Sequence, residues 1–591
     1  MKFTLSKTAL LVSAVVLSAC GSNKGNSNFD TVSPKKSEVV PEAAKQAPKL
    51  DVNKPKLVDP KSPQAPAYVD DVRAADKDGV TPSLGVEVKI PRRSFGLGGT
   101  LDEVVAPIGD LTSVYDVTQI DNNDSKDAPH YKEVNEHNKS DPEVRPIHSH
   151  DKLDKDPRRN RSHFKYVKAG FIVKSTSLGF EGEGKNKRIE MGNNGYVYYK
   201  GVNPATHLPK GKISYEGTWD FTTDAKKSRN NKNYFGADPY IGTRSGAVSY
   251  NEGTNGKEEK GGIGHSSEFS VDFDTKKLEG TLNRNKIAKD GEQSVKEKRY
   301  DINAELVGNR FRGSATAANP NDEYFGKNAS AYKKDKSLGV EGGFFGDEAQ
   351  ELAGQFITDD KSLFAVFGAQ RKAENVQLEK AFDAHTVSTK ENAKTLQTFG
   401  NPTQLVINGR IFDLAPAKAG ETIAYKLDDK TDKQLKITAC CDNLSYSKVG
   451  KFDYAGEGDT YFITGERTQE TKIPQAGQVK YQGQWNGTML ANSVEKKASF
   501  NVDFANKSLT GDLTEGGNPY LTINAKVEQN GFKGSAQAAE SAKQKISSSL
   551  DVHGGFYGQN ASELGGYGVS KAGTEKVGVV FGAKRQVEQA K

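Results

Sequence analysis

The sequence predicts an all-β protein built from two copies of one unit. Three observations support this: a duplicated set of motifs, an alternation of apolar and polar residues, and an unusual composition. The 591-residue chain contains 60 glycines, 27 phenylalanines and 22 tyrosines, against 3 methionines and 2 tryptophans. Aromatic residues favour pleated strands and glycine favours turns, so this composition indicates many strands joined by turns.

The motifs occur twice in the same order. EGGFFGDEAQELAGQF returns as HGGFYGQNASELGGYG, and YEGTWDF returns as YQGQWNG, which places Trp219 and Trp485 at matched positions. YDINAELVGNRFRGSATAA returns as YLTINAKVEQNGFKGSAQAA, and LFAVFGAQRK as GVVFGAKRQ. A solenoid repeats every 20–50 residues or so, far less than this separation. The chain is therefore predicted to contain a duplicated domain.

Period-two alternation predicts the strands themselves. Phe269, Val271 and Phe273 alternate with polar residues, and FNVDF in the second copy does the same. One face of such a strand is buried and the other is wet, and strands at this spacing favour a barrel or a sandwich in each half. Between the halves, AENVQLEKAFDAHTV lacks this alternation, and the spacing of Val376, Leu378 and Phe382 predicts a short connecting helix.

The first twenty residues, MKFTLSKTALLVSAVVLSAC, are typical of a secretory signal whose apolar run is too short to span a bilayer. LSAC resembles a bacterial lipobox, which implies cleavage before Cys20 and acylation of that residue. The alternative is an ordinary signal peptide with a chance cysteine. Several acyl chains make a durable anchor. Because Gly21 and Ser22 include no aspartate for inner-membrane retention, the sequence predicts the outer membrane.

Residues 21 to about 82 are rich in Pro, Lys, Ser and Asp with almost no apolar pattern, which predicts a flexible tether. The formal net charge of +6 is small for this length. Nucleic-acid binding would call for a concentrated basic face, so no nucleic-acid partner is predicted.

No motif for catalysis is present: G-x-S-x-G, the P-loop, His-Glu-x-x-His and C-x-x-C are all missing from the sequence. Glu348, Glu351 and Glu563 could pose as catalytic acids, but a duplicated surface turn accounts for them. His148 and His150 suggest a metal cluster only weakly, and a solvated loop is the favoured interpretation. We therefore predict no enzyme, no metal and no cofactor.

The cysteines divide into Cys20 and the adjacent pair Cys440 and Cys441. Consecutive Cα atoms lie about 3.8 Å apart, which is closer than the usual disulfide range. The pair is therefore either a strained vicinal disulfide or two reduced, packed thiols; a redox or metal role lacks partners.

The first copy carries an insertion between Trp219 and Phe269 that the second lacks. Its segment NKNYFGADPYIGTRSGAVSY is a glycine-rich loop studded with aromatic residues. Exposed aromatic and arginine side chains on loops are typical of interface hot spots, although single rings could also pack on their own barrel. The candidate contacts here are Tyr234, Phe235, Tyr240, Arg244 and Tyr250.

Together with SYEGTWDF and ACCDNLSY, the paired motifs resemble the transferrin-binding protein B family of Gram-negative surface lipoproteins. The resemblance implies two lobes, each pairing a β-rich handle domain with an eight-stranded antiparallel β-barrel. It also implies capture of iron-loaded host transferrin and its transfer to a TonB-dependent partner, transferrin-binding protein A. Further contacts implied for the first lobe are Phe171, Phe180, Tyr198 and Tyr199.

On this resemblance, the predicted divisions are a signal peptide (1–19), a lipidated tether (20–82), a first handle (83–205), a first barrel (206–372), a linker (373–398), a second handle (399–478) and a second barrel (479–591). Three alternatives remain. One is a lactoferrin-binding relative, although the acidic runs usual in its second lobe are missing here. The others are a smaller complement-regulator or haemoglobin-binding lipoprotein, and a structural or carbohydrate-binding envelope lipoprotein.

Overall fold

The structure is a computed structural model. It describes residues 39–41, 57–58, 83–96, 104–105, 108, 112–113, 134, 147–150, 161, 163–181, 183–226, 245–249, 264–286, 295–331, 339–414, 421–428, 430–440, 443–488, 495–543, 546, 549–570 and 576–588. In this part of the chain the regular elements are strands and a few 3-10 turns, and no helix is long and apolar enough to cross a membrane.

Two short strands precede the first lobe and pair with the second. They are β1 (Val39–Pro41) and β2 (Leu57–Val58). The first pairs with a strand of the second handle at Ile423–Tyr425, and the other pairs with the last strand of the chain at Val587–Glu588.

The first handle is a seven-stranded sheet organised around two long strands. Its strands are β3 (Ser83–Lys89), β4 (Arg93–Gly96), β5 (Val104–Val105), β6 (Thr112–Ser113), β7 (Ile147–His148), β8 (Val167–Glu181) and β9 (Arg188–Val202). β9 pairs with β8, β3 and β4, and a 3-10 turn at Gly184–Asn186 closes the β8–β9 hairpin.

After β10 (His207–Pro209), eight antiparallel strands close the first barrel. They are β11 (Lys212–Thr223), β12 (His265–Asp272), β13 (Lys277–Lys286), β14 (Val295–Val307), β15 (Arg310–Ala317), β16 (Val340–Phe345), β17 (Glu351–Ile357) and β18 (Leu363–Arg371). β12 shows strict alternation of buried and half-buried residues, as its sequence predicts. β17 is buried throughout because its inner face fills the barrel while its outer face meets the first handle.

The second handle is another seven-stranded sheet, in the order β1-β24-β25-β26-β27-β20-β21. The strands from β19 to β27 are β19 (Leu378–Lys380), β20 (Phe382–Ser388), β21 (Lys394–Thr395), β22 (Gln404–Ile407), β23 (Arg410–Asp413), β24 (Thr422–Lys426), β25 (Gln434–Cys440), β26 (Ser447–Tyr454) and β27 (Asp459–Glu466). β22 and β23 form a separate hairpin, and β19 pairs with β10 of the first lobe.

The predicted connecting helix is wrong. Leu378 lies in β19 and Phe382 begins β20, which pairs along seven residues with β27. Six of these seven residues are buried. β20 is paired in the sheet and buried along its length, and this overrides the helical spacing of a few apolar residues. The segment expected as a linker therefore contributes strands to the second handle.

The second barrel repeats the first. Its strands are β28 (Gln478–Gly487), β29 (Lys496–Asp503), β30 (Ser508–Glu515), β31 (Asn518–Glu528), β32 (Gly531–Ala538), β33 (Leu550–Tyr557), β34 (Glu563–Ser570) and β35 (Gly578–Arg585), followed by β36 (Val587–Glu588). Short 3-10 turns lie at Glu470–Lys472, Glu540–Ala542 and Gln559–Ala561. The prediction of an all-β chain with two eight-stranded barrels is confirmed.

The duplication extends to individual hydrogen bonds. Trp219 donates its indole N–H to the carbonyl of Asn283 over 2.9 Å, and Trp485 donates to that of Thr514 over 2.9 Å. A buried indole needs such a partner, because an unsatisfied donor inside the barrel costs about 1–3 kcal/mol. The matched tryptophans therefore have matched structural roles.

The two lobes share an apolar contact and several polar ones. Phe399, from the second-handle region, is 4 % exposed and packs in the same cluster as Leu84 and Phe345 of the first lobe. In addition, Lys276 of the first barrel pairs with Glu466 of the second handle at 3.2 Å. These contacts fix how the lobes meet.

Candidate functional site

The tip of the β8–β9 hairpin presents an exposed aromatic side chain. Phe180 is 56 % exposed, whereas nearly every other large apolar residue of the described chain is covered. The Nζ atom of Lys187 lies 4.4 Å from the centre of the Phe180 ring, a cation–π contact. A ring held this way on a two-stranded projection is available to a partner protein.

Three other predicted contacts lie in the interior. Phe171 and Tyr199 are 2 % and 3 % exposed and belong to the core between the first handle and its barrel. Tyr198 is fully buried, and its hydroxyl lies 2.6 Å from Nε2 of His148. Alternation along the strands puts Phe171 and Tyr199 on the face toward the barrel and Tyr198 on the opposite face, where it meets His148. Both faces are covered at these residues, which does not fit direct contact with a partner. They are therefore not kept in the surface proposed below.

His148 and His150 do not form the solvated loop that the sequence favours. His148 lies in β7, is 1 % exposed, and accepts the backbone N–H of His150 at 3.0 Å on its Nδ1. Burial, together with the charges of Lys168 and Arg161, holds the pKa of His148 well below its usual range, so the ring is neutral at pH 7. Within the described residues, no group of three or more His, Cys, Asp or Glu side chains could hold a metal ion.

The remaining site predictions fall elsewhere. Tyr234, Phe235, Tyr240, Arg244 and Tyr250 lie outside the described residues, as does Cys20. Cys440 is disulfide-bonded. Cys441 also lies outside the described residues, so the vicinal pairing stays a prediction.

The hairpin is held on the barrel by a buried carboxylate. Glu351, in β17, is 1 % exposed and accepts the backbone N–H groups of Lys165, Tyr166 and Val167 at 2.7, 2.8 and 2.9 Å. Those residues lead into β8, which carries Phe180. Burial raises the pKa of Glu351 to about 7, while the three N–H donors act to lower it.

A buried ion pair reinforces the same joint. Arg161, just before β8, pairs with Asp220 of the barrel, and each side chain is 2 % exposed. Asp220 also accepts the Ser249 hydroxyl at 2.6 Å, and Arg161 donates to the carbonyl of Ala169 at 2.6 Å. Breaking such a pair leaves an uncompensated buried charge, at a cost of roughly 3–5 kcal/mol. The hairpin is therefore mounted on a rigid base.

Sequence reasoning missed the contact of Lys187 with Phe180 and the part that Glu351 plays. The signal for Glu351 was present: both copies of the motif keep the Glu-Leu pair, as Glu351-Leu352 and Glu563-Leu564. A carboxylate repeated at the start of a buried strand indicates a structural acceptor for backbone donors, since burial without partners is costly.

Known families match along almost the whole chain. Residues 67–205 match the family model described as the N-lobe handle of Tf-binding protein B, and residues 379–468 match its C-lobe handle domain. Residues 208–371 and 473–585 match the model of the C-lobe and N-lobe β-barrels of Tf-binding protein B.

Two curated relatives match most of the chain in sequence. The chain is 31 % identical over 629 residues to transferrin-binding protein B of Neisseria meningitidis serogroup B, covering 98 % of each chain. It is 32 % identical over 484 residues to the Haemophilus influenzae protein of that name, covering 68 % of this chain and 76 % of the relative.

Two solved structures are close in fold. Isotype 1 transferrin-binding protein B from serogroup B Neisseria meningitidis matches with a TM-score of 0.70 and 30 % identity, covering 85 % of this chain and 99 % of that one. A double mutant of the Haemophilus parasuis protein matches with a TM-score of 0.69 and 29 % identity, covering 90 % and 100 %. These relatives are binding proteins, and the chain is not an enzyme. With both handles and both barrels matched, the chain belongs to the transferrin-binding protein B family.

Proposed function

We propose that the chain is a surface lipoprotein that captures iron-loaded host transferrin. The observation that carries the proposal is the match to one family over both handles and both barrels, with a relative named for transferrin binding aligned over 98 % of the chain.

The contact surface is the outer end of the first lobe. Phe180 at the hairpin tip supplies an exposed aromatic ring, and aromatic residues are enriched at the centres of protein interfaces. The predicted loop residues Tyr234, Phe235, Tyr240, Arg244 and Tyr250 complete the proposed surface.

A rigid contact surface allows the chain to prefer iron-loaded over iron-free transferrin. A receptor selects one conformation of its ligand only through a difference in contact free energy between the two conformations. The Glu351 contacts and the Arg161–Asp220 pair hold the hairpin in one position on the barrel. A fixed ring can therefore distinguish closed from open transferrin without touching the iron.

Acylation of Cys20 would fix the protein to the outer membrane, with the tether holding it close to a TonB-dependent transporter, transferrin-binding protein A. Confinement to one surface raises the effective concentration of the captured transferrin at the transporter. Delivery to this transporter, and hence iron acquisition, is the second half of the proposed function.

The test is a binding measurement on the full-length protein in detergent, immobilised and exposed to iron-loaded and iron-free transferrin from several mammals. We expect tight binding to the iron-loaded protein of at least one host and clearly weaker binding to the iron-free form. Phe180→Ala should weaken the affinity about 30-fold, the cost of losing a hot-spot residue of roughly 2 kcal/mol.

Val587→Ala is the matched control, because Val587 is the other large exposed apolar side chain of the described residues, at 40 %, and lies at the far end of the chain. It should leave transferrin binding unchanged. Binding to no transferrin would contradict the proposal, and binding to lactoferrin instead would identify the lactoferrin-binding relative.

A further inference from the structure

The two lobes differ at the joint between handle and barrel. In the first lobe, Leu84 of β3 lies opposite Gly201 of β9, and the ring of Phe345 covers Gly201 so closely that a Cβ there would lie 2.3 Å from it. Leu84 and Phe345 are buried in the same apolar cluster, so this part of the joint packs through apolar contacts.

The second lobe places polar groups at the same positions. Asp383 of β20 lies opposite Gly465 of β27, and Tyr557 covers Gly465 as Phe345 covers its counterpart. Asp383 replaces Leu84 and Tyr557 replaces Phe345. The hydroxyl of Tyr557 donates to Asp383 at 2.9 Å.

Asp383 is surrounded by donors. Its side chain is 2 % exposed and lies 2.5 Å from Nε of Arg467, 2.6 Å from Nζ of Lys380 and 3.2 Å from Nε2 of His385. The positive charges of Arg467 and Lys380 hold the pKa of Asp383 well below its usual range despite burial, so it is ionised.

Each joint contains an arginine, but it comes from the barrel in the first lobe and from the handle in the second. The first barrel provides Arg310, opposite Gly343, whereas the second barrel has Gly531 opposite Gly555. Arg467, from the second handle, fills this space: a Cβ at Gly531 would lie 2.4 Å from its Nη1 atom. The glycine makes room for an arginine that enters from the handle.

A cavity of about 200 Å³ lies at these replacements, between the second handle and its barrel. Its lining carries the basic groups Lys380, His385, Arg467, Lys533 and His553, with Tyr567 beside them. The acidic lining residues are Asp383, which is fully engaged, and Glu528 on the exposed rim.

Two histidines of the cavity are particular to the second lobe. His553 lies opposite Lys533, at the place where the first barrel has Glu341 opposite Arg312. An acid–base pair in one copy has therefore become a lysine and a histidine in the other. Burial lowers the pKa of His553, so this ring is a neutral N–H donor at pH 7. Likewise, His385 stands opposite Ile463 where the first lobe has Val86 opposite Tyr199.

We propose that this cavity binds a small oxyanion of the phosphate or carboxylate type. Lys380, Arg467 and Lys533 outnumber Asp383 and Glu528, and N–H donors converge on a space much smaller than a drug-sized pocket. Burying polar and charged groups where the first lobe has Leu84 and Phe345 does not by itself stabilise a fold, so a ligand gives these replacements a function.

The test is titration calorimetry on the full-length protein in detergent, with inorganic phosphate in one arm and citrate in the other at constant ionic strength and pH 7. We expect saturable binding in at least one arm, which also identifies the oxyanion type. Lys533→Gln and His553→Gln should each weaken it at least tenfold. Both residues lie at the cavity rim and leave the Asp383 contacts intact.

The matched control is Arg312→Gln, at the position in the first barrel that corresponds to Lys533. It should leave the oxyanion affinity unchanged. Absence of saturable binding in both arms would overturn the proposal, and so would an equal loss in Arg312→Gln. Transferrin binding by the same preparations separates this result from a failure of the proposed receptor function.

Discussion

Glu351 and Glu563 hold the same place in the two copies and make the same kind of contact. Glu563 is fully buried and accepts the backbone N–H of Ser445 at 2.5 Å and the Ser447 hydroxyl at 2.8 Å, at the start of β26. β26 occupies the place in the second handle that β8 occupies in the first. Burial raises the pKa of both carboxyl groups. Each carboxylate thus fastens one handle to one barrel.

The burial of Glu351 predicts a dependence of stability on pH. The pKa of Glu351 is about 7 in the folded protein and 4.5 when unperturbed. Between these two pH values the folded state therefore holds a proton that the unfolded state has lost. Its stabilising contribution is therefore complete below pH 4.5 and lost as the pH rises through 7, by at most about 1.4 kcal/mol per pH unit. We expect the difference in unfolding free energy between wild type and Glu351→Gln to shrink over this range.

The measurement uses urea denaturation of a Trp485→Phe background, in which Trp219 is the single tryptophan and reports the first lobe alone. Glu563→Gln in the same background is the matched control and should leave the Trp219 transition nearly unchanged. A difference that stays constant from pH 4.5 to 7.5 would refute this assignment.

At the scale of the element, the two faces of β16 explain why the motif has two adjacent aromatic residues. Phe344 points into the barrel core, and Phe345 points outward into the handle core. Gly342 is enclosed: a Cβ there would lie 2.2 Å from the carbonyl oxygen of Ala353 and 2.3 Å from the ring of Phe311. Gly343 has room, with its nearest neighbours at 3.4 Å.

The two adjacent glycines should therefore respond differently to the same change. Gly342→Ala should destabilise the first lobe by about 1–3 kcal/mol, because the backbone of β17 and a core ring must move. Gly343→Ala should stay within roughly 1 kcal/mol of wild type. Urea denaturation monitored by the fluorescence of Trp219 tests both variants. Equal losses of stability would show that the close contacts of Gly342 do not determine the cost of an added Cβ.

Much of the architecture could be predicted from the sequence, because alternation along β12 and the paired motifs report directly on which residues a barrel buries. The contacts between elements were harder. Phe382 carried a local helical spacing, but its partner strand β27 lies some eighty residues away, and only that pairing decides its conformation. Tyr198 and Phe180 are both aromatic residues of the same hairpin, and nothing local tells which of them points outward.

At the scale of the whole molecule, the lobes are joined by more than a connecting chain. Besides Phe399, the side-chain amide of Asn309 donates to the carbonyl of Thr398 at 3.3 Å, and Lys210 pairs with Glu470 at 2.5 Å. The Lys210–Glu470 and Lys276–Glu466 pairs are partly open to solvent, where ion pairs contribute little. The apolar cluster that includes Phe399 and Val406 therefore contributes most to the junction.

Phe399→Ala should loosen the two lobes. We expect a loss of about 3–5 kcal/mol from the junction and a larger radius of gyration in small-angle X-ray scattering. Phe412→Ala is the control, since Phe412 is 1 % exposed but packs only within the second handle cluster. It should lower the stability of that handle without changing the radius. An unchanged radius in Phe399→Ala would mean that the polar contacts alone hold the lobes together.

With Cys20 acylated as proposed, the pairing of β1 with β24 bounds how far the protein can stand from the membrane. About 19 residues separate Cys20 from Val39, and a fully stretched chain of that length spans at most ~65 Å. A pull on an acyl group at Cys20 would thus reach the second handle first, through a row of backbone hydrogen bonds. The second lobe would carry the mechanical load, and the hairpin bearing Phe180 would be spared it.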